Sequence, residues 1–488
     1  MNKLISIEIK KVFKHKSIFV ILLIMTIFCI LNNIIYKNDY TKTGEYKYKK
    51  HENIEQTIAR EEKNLKKYNL EQDSDKYMYI TTKTKIELAK IKRKYKYSDW
   101  RYIKAQDYLY NLLYNINLYK LVDKNQEKLD DNIKKYDEAI NNYNDNNWKY
   151  FVRKDKIIIK NNISEVNEKI DNTTEKQTLN SLQNQKKELE NNLLILNYRL
   201  DKNITYDDNY LNRALEEYSM QKEAVKKYQK KKLDYEEKLE LSNLKQNINI
   251  NKYIIDNKKN LKQENTINYQ LRTILDDYEL FIVIITILVA SITIGEDLNK
   301  QTIKLMLIKP YKRSKIILSK YLASLIIILS SIFSLVIIQL LIGGMFLGIQ
   351  SLKQNMVVYD LATSKIIILN IFIYMLIRIL FKLPMIIIIL NVSFALNILL
   401  NSVVAPFSIS MLLYTFSEVI NTMAINYNIK FMKYFITLNW NFNNYLFGTL
   451  PKYQYLNLKN SILIFLIYDI MLLGIIFIGF NKKNIKNV

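Results

Sequence analysis

The sequence predicts an all-α integral membrane protein with six transmembrane helices and a long helical or coiled-coil extracytoplasmic insert between helices 1 and 2. Three observations lead there. Residues 1–37 and 280–488 carry long runs of Ile, Leu, Phe and Met, whereas residues 38–279 are dominated by Lys, Asn, Tyr, Glu and Asp. Several apolar runs approach the roughly 20 residues that a helix needs to cross a bilayer. The polar stretch has no proline and one glycine, Gly44, so the turn formers of a β-rich domain are scarce and long helices are expected.

Charge and rare residues narrow the class. A formal charge of +25 over 488 residues would point to nucleic acid in a soluble chain. Beside apolar runs of membrane length it is read instead as positive cytoplasmic loops and contact with anionic lipid, with no nucleic-acid partner. The single cysteine, Cys29, lies inside an apolar run, which excludes a disulfide framework and a cysteine-rich metal site. Two histidines, His15 and His51, are too few for a histidine-built zinc site. No metal and no cofactor are expected.

Taken in order, residues 1–16 read as a cytoplasmic amphipathic elbow. Lys3, Lys10, Lys11, Lys14 and Lys16 would lie among headgroups, and Leu4, Ile7, Ile9 and Phe13 would face lipid. Residues 17–37 form transmembrane helix 1. A basic start before an apolar run is also the pattern of a signal peptide, but this run is long and Leu31-Asn32-Asn33 closes it without a small-x-small cleavage site. It is read as a retained anchor with a cytoplasmic N-terminus.

Residues 38–279 form the extracytoplasmic helical or coiled-coil domain. Leu182, Leu189 and Leu196 recur every seven positions with Leu179, Leu193 and Leu200 beside them, interrupted by Lys186, so 163–200 reads as a coiled-coil or helical-hairpin seam. The Asn-rich stretches 130–147 and 201–209 are expected to be turns. The many lysines of the insert do not oppose an outside location, because the positive-inside rule weakens in loops this long. No acidic pair, histidine or glycine-rich loop in it has a spacing that asks for chemistry.

Residues 280–488 supply helices 2–6. The second run ends near Gly295 and leads into a connector, 296–320, where Lys300, Lys304, Lys309, Lys312, Arg313, Lys315 and Lys320 outnumber Glu296 and Asp297. That bias places it inside. The third span is 321–347. In 366–400, Arg378 and Lys382 followed by Pro384 predict a break, with an interfacial or re-entrant helix over 366–377 and the fourth span over 383–399. Asn391 and Asn397 in that span are expected to make interhelical hydrogen bonds. Spans 404–420 and 461–480 complete the six, and Lys482, Lys483 and Lys486 keep the C-terminus in the cytoplasm.

The connector carries a family pattern. Glu296, Thr302, Leu305, Pro310, Arg313 and Lys320 resemble the run after the second helix of ABC-2 type transporter permeases, where an acidic residue precedes a Thr, a Pro, an Arg and a Lys at this kind of spacing. Glu8-Ile9-Lys10-Lys11-Val12-Phe13 resembles the elbow before their first helix. The turn Leu400-Asn401-Ser402 and the closing Phe480-Asn481-Lys482-Lys483 are also similar to theirs. Gln301 stands where relatives more often have Gly before the Thr. The resemblance covers 1–37 and about 280–488, and the insert lies outside it.

What the resemblance implies is a bacterial membrane subunit that pairs with a second permease copy or a related permease and with separate ABC ATP-binding subunits. The coupling residues carried over are Glu296, Thr302, Pro310, Arg313 and Lys320, with Glu8, Lys11 and Phe13 in the elbow. The residues themselves add that a guanidinium fork at Arg313 can fix orientation bidentately, while Lys300, Lys312 and Lys315 need do no more than enforce topology. The chain holds no G-x-x-x-x-G-K-[ST] run, so any motor is another polypeptide, and no catalytic triad suggests an enzyme. The expected function is therefore the permease of an ATP-driven exporter in the cell membrane. The alternative is a receptor or scaffold whose stalk binds a protein, a peptide or a cell-envelope component as extracytoplasmic ligand.

Overall fold

The computed structural model describes residues 1–49, 54–96, 98–207, 209–228, 232–259, 266–299, 311–400 and 402–482, with 38–49 traced by their helical backbone. They fall into two compact units. One comprises Met1–Tyr40, Asp234–Ser242 and Gln263–Val488, the other Thr41–Leu233 and Asn243–Lys262.

The first unit opens with α1 (Asn2–Phe13) and α2 (Lys16–Lys49). After the insert come α3 (Ile267–Asp277) and α4 (Glu279–Ala290), the latter prolonged by a π-turn, Ser291–Gly295, and a short helix, Glu296–Asn299. Beyond these lie α5 (Arg313–Leu347), α6 (Ile371–Leu400), α7 (Val404–Asn426) and α8 (Leu458–Lys482). Among the described residues, six helical stretches are long and apolar enough to cross a membrane: Lys16–Lys37, Glu279–Asn299, Arg313–Leu347, Ile371–Leu400, Val404–Asn426 and Leu458–Lys482. The chain is thus a multi-pass, largely α-helical membrane protein, and its long helical insert lies between the first two of these stretches.

Burial within the unit is uneven. The spans of α4 and α6 are the most enclosed, and those of α2, α7 and α8 present most of their surface outward. Outward Leu, Ile and Phe side chains such as Leu463, Ile467, Ile470 and Phe416 suit a hydrocarbon surrounding. The shared core joins Met25 and Cys29 of α2 to Leu271 and Ile274 of α3, Ile282 and Val289 of α4, Ile328 and Leu335 of α5, and Leu390 and Phe394 of α6.

Two expectations for this unit are corrected. The break expected at Arg378–Pro384 is absent, because α6 runs unbroken from Ile371 to Leu400 with Pro384 inside it. Proline removes one ladder hydrogen bond, and the packed neighbours of a membrane helix tolerate that loss. Residues 366–369 are not helical either. They belong to β2 (Lys365–Leu369), which pairs antiparallel with β1 (Met356–Asp360) from Met356↔Leu369 to Asp360↔Lys365. The Asp360 carboxylate closes the turn, accepting from the Ala362 amide at 3.1 Å and the Thr363 hydroxyl at 2.6 Å. A short apolar run such as Ile366–Leu369 carries no periodicity that separates strand from helix.

The second unit is helical throughout its described residues. Its main core sets Trp100, Leu109, Leu112, Leu113, Ala139, Tyr143, Trp148, Phe151 and Val152 together, with Tyr143 edge-on to both Trp100 and Tyr95. The predicted leucine seam is present as an antiparallel hairpin of Trp148–Asp171 and Lys176–Lys202: Leu196 is buried and Leu179, Leu182, Leu189, Leu193 and Leu200 are half-buried. The expected turn at 201–209 is there, with Asn203 left-handed and Asn209 capping the helix Tyr210–Lys226. The one expected at 130–147 is confined to 145–147, where Asn146 is left-handed. Gln126–Asn144 is a helix, capped by Asn125 and held inward by Ala139 and Tyr143, so its Asn and Asp residues occupy an outer face rather than a loop.

Candidate functional site

The C-terminal end of α4 and the start of α5 carry a cluster of buried charge. Lys320 is 0% exposed, and an ammonium removed from water needs an acceptor for each of its three protons. It has them: Glu8 Oε1 at 2.7 Å, the Thr293 carbonyl at 2.8 Å, and Asp297 Oδ2. The other oxygen of Asp297 accepts from Lys11 Nζ at 2.7 Å. Two cations and two anions therefore balance inside the protein. Beside them His15 Nε2 lies 3.0 Å from Glu296 Oε2.

Local sequence explains the convergence. Glu8, Lys11 and Val12 share one face of α1 by their three- and four-residue spacing, Glu8 and Val12 are its buried residues, and His15 follows just beyond the helix end. The expectation that Leu4, Ile7, Ile9 and Phe13 form the lipid face is only half right: Ile7 and Phe13 are exposed, while Leu4 and Ile9 are half-covered by protein. On the facing side, the π-turn Ser291–Gly295 is buried at all five positions and shifts the register of the short helix Glu296–Asn299. Asp297 then meets Lys320, and Glu296 turns to His15. Gly295 is needed for this close fit, since a Cβ there would stand 2.2 Å from Asn397 Oδ1.

The residues singled out from sequence are thus divided among several places. Glu8, Lys11 and Lys320 meet in one cluster, Glu296 stands next to it, and Phe13 is exposed on the other side of α1. Arg313 begins α5 and donates to the Asn481 carbonyl at the end of α8, at 2.8 Å. Thr302 and Pro310, with Leu305 and the rest of 300–310, lie outside the described residues, as does Asn401. Asn391 Nδ2 donates across to Asp469 of α8 at 2.7 Å, and Asn397 Nδ2 donates within its own helix to the Ser393 carbonyl at 2.7 Å.

Sequence reasoning misses three things. It selects Glu296 over its neighbour Asp297, because no helical period reveals a π-turn. Asp469 stands alone in the last apolar run, which is itself a sufficient signal. The third is a second charged cluster at the other end of α4. There Lys382 is paired with Glu279 and lies 3.6 Å from Asp276 Oδ1, while Arg378 donates to Asp276 Oδ2 at 2.6 Å and the Tyr414 hydroxyl donates to Glu279 Oε1 at 2.8 Å. These partners explain why two cations can sit in the unbroken α6.

A protein-family model described as "Protein of unknown function (DUF2705)" matches residues 243–486, half of the chain. No curated protein and no solved structure matches it.

Proposed function

The chain belongs to the DUF2705 family, and with no activity to inherit from that membership we propose that it is the permease subunit of an ATP-driven exporter of the ABC-2 type. The observation that supports this reading is the buried cluster of Glu8, Lys11, Asp297 and Lys320. It ties α1, the end of α4 and the start of α5 together at both roots of the connector 296–320. A partner pressing on that connector would move three elements as one, which is what a coupling contact requires. In this reading both termini and the connector are cytoplasmic, a separate subunit hydrolyses ATP, and two permease chains pair around the path.

The test is affinity purification of the full chain in mild detergent, comparing the native sequence with Arg313→Glu and Arg313→Lys. An ATP-binding subunit should co-purify with the native chain and Arg313→Lys, and its recovery or its ATPase activity should fall severalfold with Arg313→Glu. A correctly inserted native chain that recruits no ATPase would overturn the reading in favour of a membrane receptor or scaffold.

A further inference from the structure

We propose that Asp469, Asn391 and Tyr321 form an intramembrane site for a protonated amine carried on an apolar body. Asp469 is near the middle of the 25-residue α8, where a carboxylate is costly unless something neutralises it. The described residues offer it one hydrogen-bond partner, Asn391 Nδ2 at 2.7 Å, and no cationic side chain. Its charge is left for a ligand to balance.

Asn391 provides the second, independent sign. It is fully buried, its amide nitrogen is engaged by Asp469, and its Oδ1 has no hydrogen-bond partner. A buried carbonyl oxygen left in that state is an acceptor awaiting a donor. Tyr321 of α5 lies against the same pair, its hydroxyl interacting with the Asn391 side-chain amide and its ring edge-on to Phe394 at 5.7 Å. Three helices thus bring together a carboxylate, an amide carbonyl and a phenol oxygen.

The donor set decides the ligand. A primary ammonium has three N–H groups for these three oxygens. A sodium or potassium ion would want more oxygen ligands than that, and α5, α6 and α8 are unbroken here, so their backbone carbonyls are held in the helical ladder. The approach decides the rest. Asp469 is half-buried, and its neighbours Leu466, Ile467 and Ile470 face outward from α8, so a ligand reaching it passes through an apolar surrounding. Binding stands apart from the exporter reading; calling the amine a cargo rests on it.

The experiment uses the full chain in phosphatidylcholine nanodiscs and measures equilibrium binding of dodecylammonium, with dodecanol as the uncharged competitor. Saturable amine binding is expected, with dodecanol at least tenfold weaker and Asp469→Asn at least tenfold weaker for the amine. Equal binding of amine and alcohol, an unchanged affinity in Asp469→Asn, or displacement by millimolar sodium or potassium would overturn the site. If Asp469→Asn fails to fold, the amine and alcohol comparison on the native chain still decides. Amine binding without ATPase recruitment would retain the site and remove the exporter; recruitment without amine binding would do the reverse.

Discussion

Lys320 and Lys382 are both almost wholly buried lysines in helices that cross the membrane, yet one has enclosed acidic partners and the other an acidic partner open to solvent. The two mark the ends of one crossing: Glu279 opens α4 and Asp297 lies eighteen positions on, about 27 Å at the rise of a helix. That matches the roughly 30 Å hydrocarbon thickness of a bilayer. In both clusters two cations face two anions. At the Lys320 end Glu8 and Asp297 are almost as enclosed as the lysine, whereas at the Lys382 end Asp276 keeps 52% of its side chain exposed. The lesson is that charge balance alone does not fix how strongly a cluster holds its helices. Access of water to the partners does.

The largest effect should come from Lys320→Met. Removing the cation takes from buried Glu8 its ion pair and leaves Asp297 its contact with Lys11, a loss of about 3–5 kcal/mol. Unfolding by sodium dodecyl sulfate in mixed micelles would measure it. Glu8→Gln combined with Lys320→Met should recover part of the loss, because one orphaned charge is then gone. A single substitution that leaves stability unchanged would mean that the cluster is not sealed in the membrane.

Lys382→Met should cost less, about 1.5–3 kcal/mol, the range for losing hydrogen bonds to a charged group. Glu279 retains the Tyr414 hydroxyl, and Asp276 retains Arg378 and its exposure to water. The same micelle titration compares the two variants directly. Equal losses would break the contrast and assign the effect to helix packing rather than to solvent access.

The same residues show how much of the molecule is readable from its sequence. The six apolar stretches and the helical character of the insert are legible, since run length and the absence of proline and glycine are local properties. The lysines at 320 and 382, the arginine at 378 and the acids at 8 and 279 are visible as residue types, but their pairings join positions between 23 and 312 residues apart. No local period carries that information. Arg378 and Lys382 therefore read as an interruption when they are the paired interior of one helix. The place of Asp297 in the cluster is hidden for a subtler reason: the buried π-turn Ser291–Gly295 shifts the face by a fraction of a turn, and a reading at 3.6 residues per turn cannot detect it.

The smallest effect sharpens the comparison from outside the membrane, where Lys92 of the second unit is partly buried with a neutral partner. Its Nζ donates to Gln106 Oε1 at 2.5 Å and lies 4.9 Å from the centre of the Tyr102 ring. Burial pulls its pKa down from 10.5 to about 8, and the charge of Asp107 opposes the shift only in part. Between those values the unfolded chain holds a proton that the folded chain has released, so stability rises with pH from about 8 and levels off near 10.5. Below pH 8 both states are protonated and the folded one bears the full penalty of burying the charge. Trp100 and Trp148 lie in this unit, so tryptophan fluorescence in a Trp440→Phe background reports its urea unfolding in the full chain. The native midpoint should climb from about pH 8 to about pH 10, and Lys92→Met should abolish that share of the slope while raising the midpoint at about pH 7. A midpoint that falls through this range in the native chain but not in Lys92→Met would show that the lysine is stabilised in its charged form, and would erase the difference between paired and unpaired burial.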